Sequence, residues 1–465
     1  MKEQQTNRRS FLRRAGSAAL GTLGLPYMVP SSASGKAGRV GPSNRITAGC
    51  IGLGNQGSAV LRGFLGKDDV QIVAVCDVHA IKREETRKLV EKHYADKQGD
   101  GSYTGCTAHN DSRDVISQPD IDAVVIATPD HWHVPIAAAA ARAGKDTYLE
   151  KPIGVSIAQA QALRETVLRY STVFQFGTQQ RSDVEFRSAC ELVRNGRIGK
   201  LHTINVWSPS SESGGSTELA PVPPELDYDM WLGPAPLVPY TKDRCSNVNP
   251  FFPSPDKIWP FIGDYCVGWI AGWGVHPLDV ALWGADRELA GTVLVEGKGV
   301  FPTVAACDTA TNWNVILEFP GSGVKIDFRG TGGRNGPAPI EWRQRYAKTG
   351  GHGTVFEGTE GWIHVRRGFI DAQPKSLLQS QIGPDEVRLY ESNDHIRNFL
   401  DCIRSRAATI CPIEAAIRVD TLCHLSDIAT RLEEKLTWDP EQERFVNNET
   451  ANRLLVRAMR SPWHL

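Results

Sequence analysis

The chain has 465 residues, with 52 lysines and arginines against 53 aspartates and glutamates, and is 41% hydrophobic and 23% charged. These ordinary globular values exclude a disordered, collagenous or coiled-coil chain, and the length suits about two or three domains, each with a real core. A net charge of −1 argues against a nucleic-acid binder, whose phosphate contacts demand a basic excess.

The charge is uneven along the chain. Residues 1–33 hold Lys2, Arg8, Arg9, Arg13 and Arg14 against Glu3 alone, and a Gly/Ala-rich run from Ala15 to Leu25 follows the arginines. That run is too short to stay as a membrane anchor. Gly16, Gly21, Gly24 and Pro26 are poor helix formers, which favours a removable leader over a basic amphipathic helix. Asn7-Arg8-Arg9-Ser10-Phe11-Leu12-Arg13 resembles the twin-arginine export signal. The resemblance implies the twin-arginine export machinery as a partner, a periplasmic or otherwise exported mature protein, and folding before export. Cleavage is expected near Ser31 and Ala33, with Ser34 to Ser43 as a linker, so residues 1–43 form the first region. No later stretch approaches 18 uninterrupted apolar residues. Ten scattered cysteines show neither Cys-x-x-Cys nor zinc-type spacing; buried thiols are expected, with one or two disulfides left open.

From Ile46 the order is strand, glycine loop, helix. Ile46 to Ile51 is apolar, Gly52-Leu53-Gly54-Asn55-Gln56-Gly57 follows, and Ser58 to Leu65 is helical in pattern. In such a loop the first glycine makes the tight turn, the second lets backbone approach a pyrophosphate, and the third lets helix pack on strand. A second strand, Val70 to Cys76, ends in Asp77, whose carboxylate can accept both ribose hydroxyls of NAD and would repel the 2′-phosphate of NADP. NAD is therefore preferred, although Asp77 can also be read as a helix cap ahead of Ala80. Strands at 122–128, 145–149 and 173–176 alternate with helices at 134–143 and 157–169. The fold class is α/β, with a Rossmann doubly wound parallel sheet over residues 44–180. After Arg181 a helix near 184–195, a strand region near 201–207, a Ser/Gly/Pro-rich loop from Ser208 to Pro260, and strands at 291–299, 313–319, 323–328 and 361–366 suggest a mostly antiparallel open sheet. Helices near 391–405 and 413–433 complete a second α/β domain over residues 181–465.

Five motifs in order resemble the Gfo/Idh/MocA oxidoreductases: the glycine loop with Asp77, Ala127-Thr128-Pro129-Asp130-His131-Trp132-His133, Glu150-Lys151-Pro152, Gly177-Thr178-Gln179-Gln180-Arg181, and Trp273-Gly274-Val275-His276-Pro277-Leu278-Asp279. The resemblance implies sugars or cyclitols as substrates and a C-terminal open sheet that often mediates homo-oligomers. It places Gly52, Gly54, Asn55, Gln56, Gly57 and Asp77 on the cofactor, joined by Thr128, Pro129, His131, Trp132, His133, Glu150, Lys151 and Gln179. Lys151, Arg181, Trp273 and His276 are then expected to face the substrate.

The chemistry supports that assignment. Lys151 follows a strand's C-terminal edge, where open α/β sheets place ligands, and can donate to the oxygen that becomes a carbonyl; alone it would read as a solvated lysine paired with Glu150. His276 is the natural acceptor of a hydroxyl proton. Asp279, three residues on, either orients that imidazole or caps its helix. The His131-x-His133 spacing is read as cofactor loop, with no metal site expected. Trp259, Trp269 and Trp273 offer stacking surface for a pyranose, or simply core. One departure stands out: the family usually carries Asp four residues before the histidine, where this chain has Gly272. Three functions follow: a sugar oxidoreductase with tightly held cofactor, loaded before export because free NAD is scarce outside; a redox-neutral NAD-dependent glycosidase, as some exported relatives are; or a nucleotide-loaded sugar-binding protein without chemistry.

Overall fold

The computed structural model describes residues 44–99, 101–245 and 258–465. The expected export signal and linker lie outside these residues, as does part of the long loop before Pro260.

The first sheet has six parallel strands in the order β3-β2-β1-β4-β5-β6. They are β1 (Ile46–Ile51), β2 (Val70–Cys76), β3 (Thr107–His109), β4 (Ala123–Ile126), β5 (Asp146–Leu149) and β6 (Phe174–Phe176). Its strands are apolar on both faces because helices cover both, and the period of two divides their side chains between two cores. Ile51, Cys76, Val124 and Ile126 enter one core, with α4 (Asp130–Arg142) and α5 (Ile157–Tyr170). Cys50, Val75, Ala123 and Val125 enter the other, with α1 (Asn55–Leu65). Helices α2 (Ala80–Gln98) and α3 (Ser112–Ile116) complete the alternation. The strand order reverses between β1 and β4, so the loops after β1, β2, β4 and β5 meet at one crevice.

The second sheet runs β13-β12-β11-β7-β10-β9-β8-β14-β15. It comprises β7 (Leu201–Ser208), β8 (Val293–Val300), β9 (Asn312–Phe319), β10 (Val324–Gly330), β11 (Gly353–Gly358), β12 (Gly361–Arg366), β13 (Phe369–Gln373), β14 (Leu436–Asp439) and β15 (Arg444–Phe445). Its pairings are antiparallel except β7 with β10, which is the expected mostly antiparallel open sheet. Along β9 burial alternates: Trp313, Val315, Leu317 and Phe319 are buried, while Asn312 and Asn314 are exposed. The later helices are α6 (Val184–Arg194), α7 (Tyr228–Leu232), α8 (Trp269–Gly272), α9 (Val275–Ala285), α10 (Ile340–Arg345), α11 (His395–Ser405) and α12 (Ile413–Leu432), and every residue of α9 is buried. The late helix α11 returns to the first sheet, where Phe399 meets Phe64 and Tyr148 edge-on at 6.2 and 5.9 Å between ring centroids. All ten cysteines are free and buried. Among the described residues no helix is long and apolar enough to cross a membrane.

Candidate active site

The glycine loop follows β1 as its spacing requires. Gly52 has φ +87°, and a Cβ there would stand 2.5 Å from the Ala127 and Thr128 backbone. A Cβ on Gly57 would stand 1.9 Å from the Gly52 carbonyl oxygen, so that glycine lets α1 sit against the loop. Gly54, the residue capping α1, has nothing within 4 Å of an added Cβ. The open space at Gly54, at the start of an 11-residue helix with no side-chain cap, fits a pyrophosphate drawn to free N–H groups.

One cavity of about 400 Å³ runs from this loop to the second domain. Gly52, Gly54, Asn55, Gln56 and Asp77 line its dinucleotide end. Asp77 accepts hydrogen bonds from the Leu53 and His79 N–H groups at 2.8 and 2.9 Å, so it braces both the glycine loop and the turn into α2 while facing the cavity. The residue that caps α2 is His79, not Asp77. His79 and Lys82 line the same end; burial depresses the His79 imidazole below its ordinary value.

Further along, Thr128, Pro129, Trp132, His133, Glu150 and Lys151 contribute to the wall. Glu150 Oε1 accepts from the side-chain amides of Gln56 and Gln179, both at 2.8 Å, which ties the glycine loop to the Glu-Lys-Pro turn. The Lys151–Pro152 peptide is cis. A His133 ring nitrogen lies 2.6 Å from the Pro152 carbonyl, and the Ile153 N–H donates to buried Asp420 at 3.1 Å, so the turn is held on two sides. Lys151 Nζ donates to the Gly272 carbonyl at 2.9 Å. This bond brings the ammonium to Gly272, the position where the resemblance noted above leads one to expect an aspartate. A Cβ on Gly272 would meet only the Trp269 indole, at 3.4 Å.

The other expected site residues do not line this cavity. His276 is buried on α9 beneath Trp273, 5.5 Å between ring centroids, and its Nδ1 has no hydrogen-bond partner. Burial, then the charge of Lys151, hold its imidazole well below the ordinary histidine value. Asp279 makes no hydrogen bond to that ring. Its two oxygens instead accept from Arg181 Nε and Nη2 at 2.8 and 2.6 Å, both partners being buried, because a planar guanidinium satisfies a buried carboxylate more fully than an imidazole. Arg181 is thereby spent inside the fold rather than on a ligand. Trp273 sits between His276, His352 and Arg367. His131 is set against Trp231 and Tyr265, with Nε2 donating to the Trp231 carbonyl at 3.0 Å. The second nitrogen of His133 lies 2.9 Å from the Thr128 carbonyl, so the ring stands between two backbone carbonyls and, when neutral, donates to one of them. Burial lowers both histidines to about 4.

Residues 46–178 match the Gfo/Idh/MocA description "Oxidoreductase family, NAD-binding Rossmann fold", and residues 202–332 and 350–465 match "Oxidoreductase family, C-terminal alpha/beta domain". The chain belongs to the Gfo/Idh/MocA oxidoreductase family. Among relatives of this Gfo/Idh/MocA protein, myo-inositol 2-dehydrogenase of Thermotoga maritima is 28% identical over 180 residues, 39% of this chain and 47% of that one. A glycosyl hydrolase family 109 protein of Shewanella pealeana is 28% identical over 205 residues, 42% and 44% of the two chains. The chain thus spans about half the length of the curated relatives it matches. Scyllo-inositol dehydrogenase of Lactobacillus casei, solved with NAD(H) and scyllo-inositol, superposes with TM-score 0.54 at 16% identity over 84% of this chain and 99% of that one. The WlbA dehydrogenase of Bordetella pertussis gives 0.57 at 14% over 84% and 98%. At these identities the likeness is one of fold.

Several wall residues of this Gfo/Idh/MocA chain escaped the sequence reading, His79 and Lys82 among them, and two more bear on the chemistry of the far end. Asp130, at the start of α4, is buried, and that burial pushes its carboxyl up to about 8, although the Lys151 charge opposes the rise. Arg334 reaches the wall from the loop after β10. The glycine density of Gly330-Thr331-Gly332-Gly333-Arg334-Asn335-Gly336 was a usable signal for a fixed loop presenting an arginine.

Proposed function

We propose that the protein is an NAD-dependent oxidoreductase of a sugar or sugar derivative, acting at a carbon that bears a hydroxyl. The observation that carries this reading is the single cavity lined by the glycine loop at one end and by Lys151, Trp269 and Gly272 at the other. The open Gly54 position and the α1 N-terminus receive a pyrophosphate, and Asp77 receives the ribose hydroxyls, which favours NAD over NADP. When bound, the nicotinamide supplies the hydride acceptor. Lys151 donates to the substrate oxygen and stabilises the negative charge that develops there. The family resemblance assigns the hydroxyl proton to His276, which burial and the charge of Lys151 keep neutral but which lies behind the cavity wall, against Trp273. Trp259 and Trp269 cover an apolar sugar face.

The leader-like sequence of residues 1–33 supports export, and a cofactor that must function away from the cytoplasmic pool is expected to stay bound. The exposed faces of β8, β9 and β10 support a homo-oligomer. Mass spectrometry of the denatured mature protein, purified without added cofactor, is expected to release NAD and not NADP. Lys151→Ala should keep that NAD but lose hydride transfer to sugars by at least about a hundredfold. An apo protein that binds NADP better, or a fully active Lys151→Ala variant, would overturn the reading.

A redox-neutral glycosidase is the second reading, favoured by the space that Gly272 leaves beside Lys151 and by the family 109 relatives. It predicts aglycone release from aryl glycosides without added NAD. Release unaffected by both borohydride pretreatment and Lys151→Ala removes it.

A further inference from the structure

Resting on the sugar-oxidoreductase reading, we propose that the substrate carries a carboxylate and that Arg334 selects it. Arg334 shares the second-domain end of the cavity with Lys151, Trp269 and Gly272. Its side chain is 40% exposed, and its guanidinium carbon lies 5.3 Å from the Trp269 ring centre and 6.0 Å from that of Phe261, so aromatic surface flanks the fork. Backbone hydrogen bonds hold the loop that carries it. Gly333 has φ +124°, a conformation that L side chains rarely adopt, and its carbonyl accepts from the Ser210 N–H and the Thr331 hydroxyl, both at 3.1 Å. Gly332 N–H donates to Ser210 Oγ at 3.2 Å.

The only acidic side chain paired with Arg334 among the described residues is Glu212, whose Oε1 lies 3.4 Å from Nε. That contact is on the stem side of the fork and leaves the terminal nitrogens for a ligand; among the described residues no hydrogen bond engages them. Lys151 supplies the other cation of this end, but its ammonium is directed by the Gly272 carbonyl toward the reacting oxygen. Of the wall carboxyls at this end, Glu150 is held by the Gln56 and Gln179 amides, and Asp130 is buried, which raises its pKa. The end of the cavity therefore presents an aromatic floor for a pyranose and a planar cation at its edge. A carboxylate matches the guanidinium in shape and brings one negative charge, whereas a phosphate brings up to two for a single arginine.

The test is a titration of the purified protein, saturated with NAD, against pairs of methyl pyranosides that differ only at C6: glucoside with glucuronide, galactoside with galacturonide, mannoside with mannuronide. Calorimetry reads the affinities, with glucose 6-phosphate as a further ligand. At least one acid is expected to bind tenfold or more tightly than its neutral partner. Arg334→Gln should bring that pair within twofold of each other without weakening the neutral sugar, and Arg334→Lys should restore part of the preference. Equal affinities in every pair, no binding of any acid, tighter binding of the phosphate, or an undiminished preference in Arg334→Gln overturns the proposal. Because binding is read and not turnover, a protein that selects uronates but transfers no hydride would refute the oxidoreductase reading and leave this one standing.

Discussion

A proton acceptor must be unprotonated at its working pH, and His276 meets that condition through burial. Its imidazole is held below the ordinary histidine value first by loss of solvent and then by the positive charge of Lys151, both of which penalise the cation. The sign follows directly: as pH falls through about 6.5, a solvated histidine would protonate and activity would drop, whereas His276 stays neutral. The acid limb of kcat/KM is therefore expected below pH 6.5 with any substrate that turns over, and an acid limb centred at or above that value would contradict the assignment. His276→Asn should cost about 10²–10⁴ in kcat while leaving NAD bound, the range that positioned acid–base groups supply. Asp279→Asn should act differently. It strips a buried arginine of its carboxylate and is expected to lower stability by about 3–5 kcal/mol, read as a fall in the denaturation midpoint.

At the scale of elements, the site depends on how closely α1 meets the loop after β1. The Gly57 Cα faces the Gly52 carbonyl so tightly that an added methyl would stand 1.9 Å from its oxygen. Gly57→Ala must push the helix from the strand and is expected to cost about 1–3 kcal/mol in stability and to abolish retention of NAD. Gly54→Ala, with nothing within 4 Å, should leave the denaturation midpoint unchanged and weaken NAD alone, so equal effects of the two substitutions would refute these separate roles. This element was readable because strand, turn and helix are written consecutively, each in its own periodicity. The same holds for β2 and β4, whose apolar runs need no distant partner to be recognised. By contrast, α4 was expected from residue 134 but begins at Asp130, since Pro129 precedes its first turn and Pro135 breaks only one internal bond. Strands β11 and β13 were not anticipated: Gly353, Val355, Glu357 and their neighbours in β11 are buried on both faces, so no alternation marks that strand, and β13 is only five residues long. The partner of Asp279 was equally hidden. Its spacing from His276 suggested a shared face, but in a helix buried all round, the choice of partner falls to Arg181, 98 residues earlier.

At the scale of the whole molecule, the late chain comes back to close what the early chain builds. Arg460 Nε donates to the Gly233 carbonyl at 2.8 Å and its other nitrogens hold Asp229, on either side of Met230 and Trp231 in the cavity wall. Arg457 binds the Gly263 carbonyl, and Trp463 meets Trp132 edge-to-face with 4.7 Å between ring centroids. Trp132 in turn donates to the Met230 carbonyl at 3.0 Å and lines the cavity. These contacts join residues from both domains around one ligand space. Trp463→Ala removes a half-buried aromatic contact, which is worth about 1–2 kcal/mol at this exposure. The wall it supports should then open more often, and loss of NAD in a dilution or gel-filtration chase is expected to quicken about tenfold, since each 1.4 kcal/mol is a factor of ten. Trp463→Phe preserves an edge-to-face pair with Trp132 and should restore most of the retention. A Trp463→Ala protein that holds NAD as long as the parent would mean that the cofactor is retained by the glycine loop and Asp77 alone, without help from the returning chain.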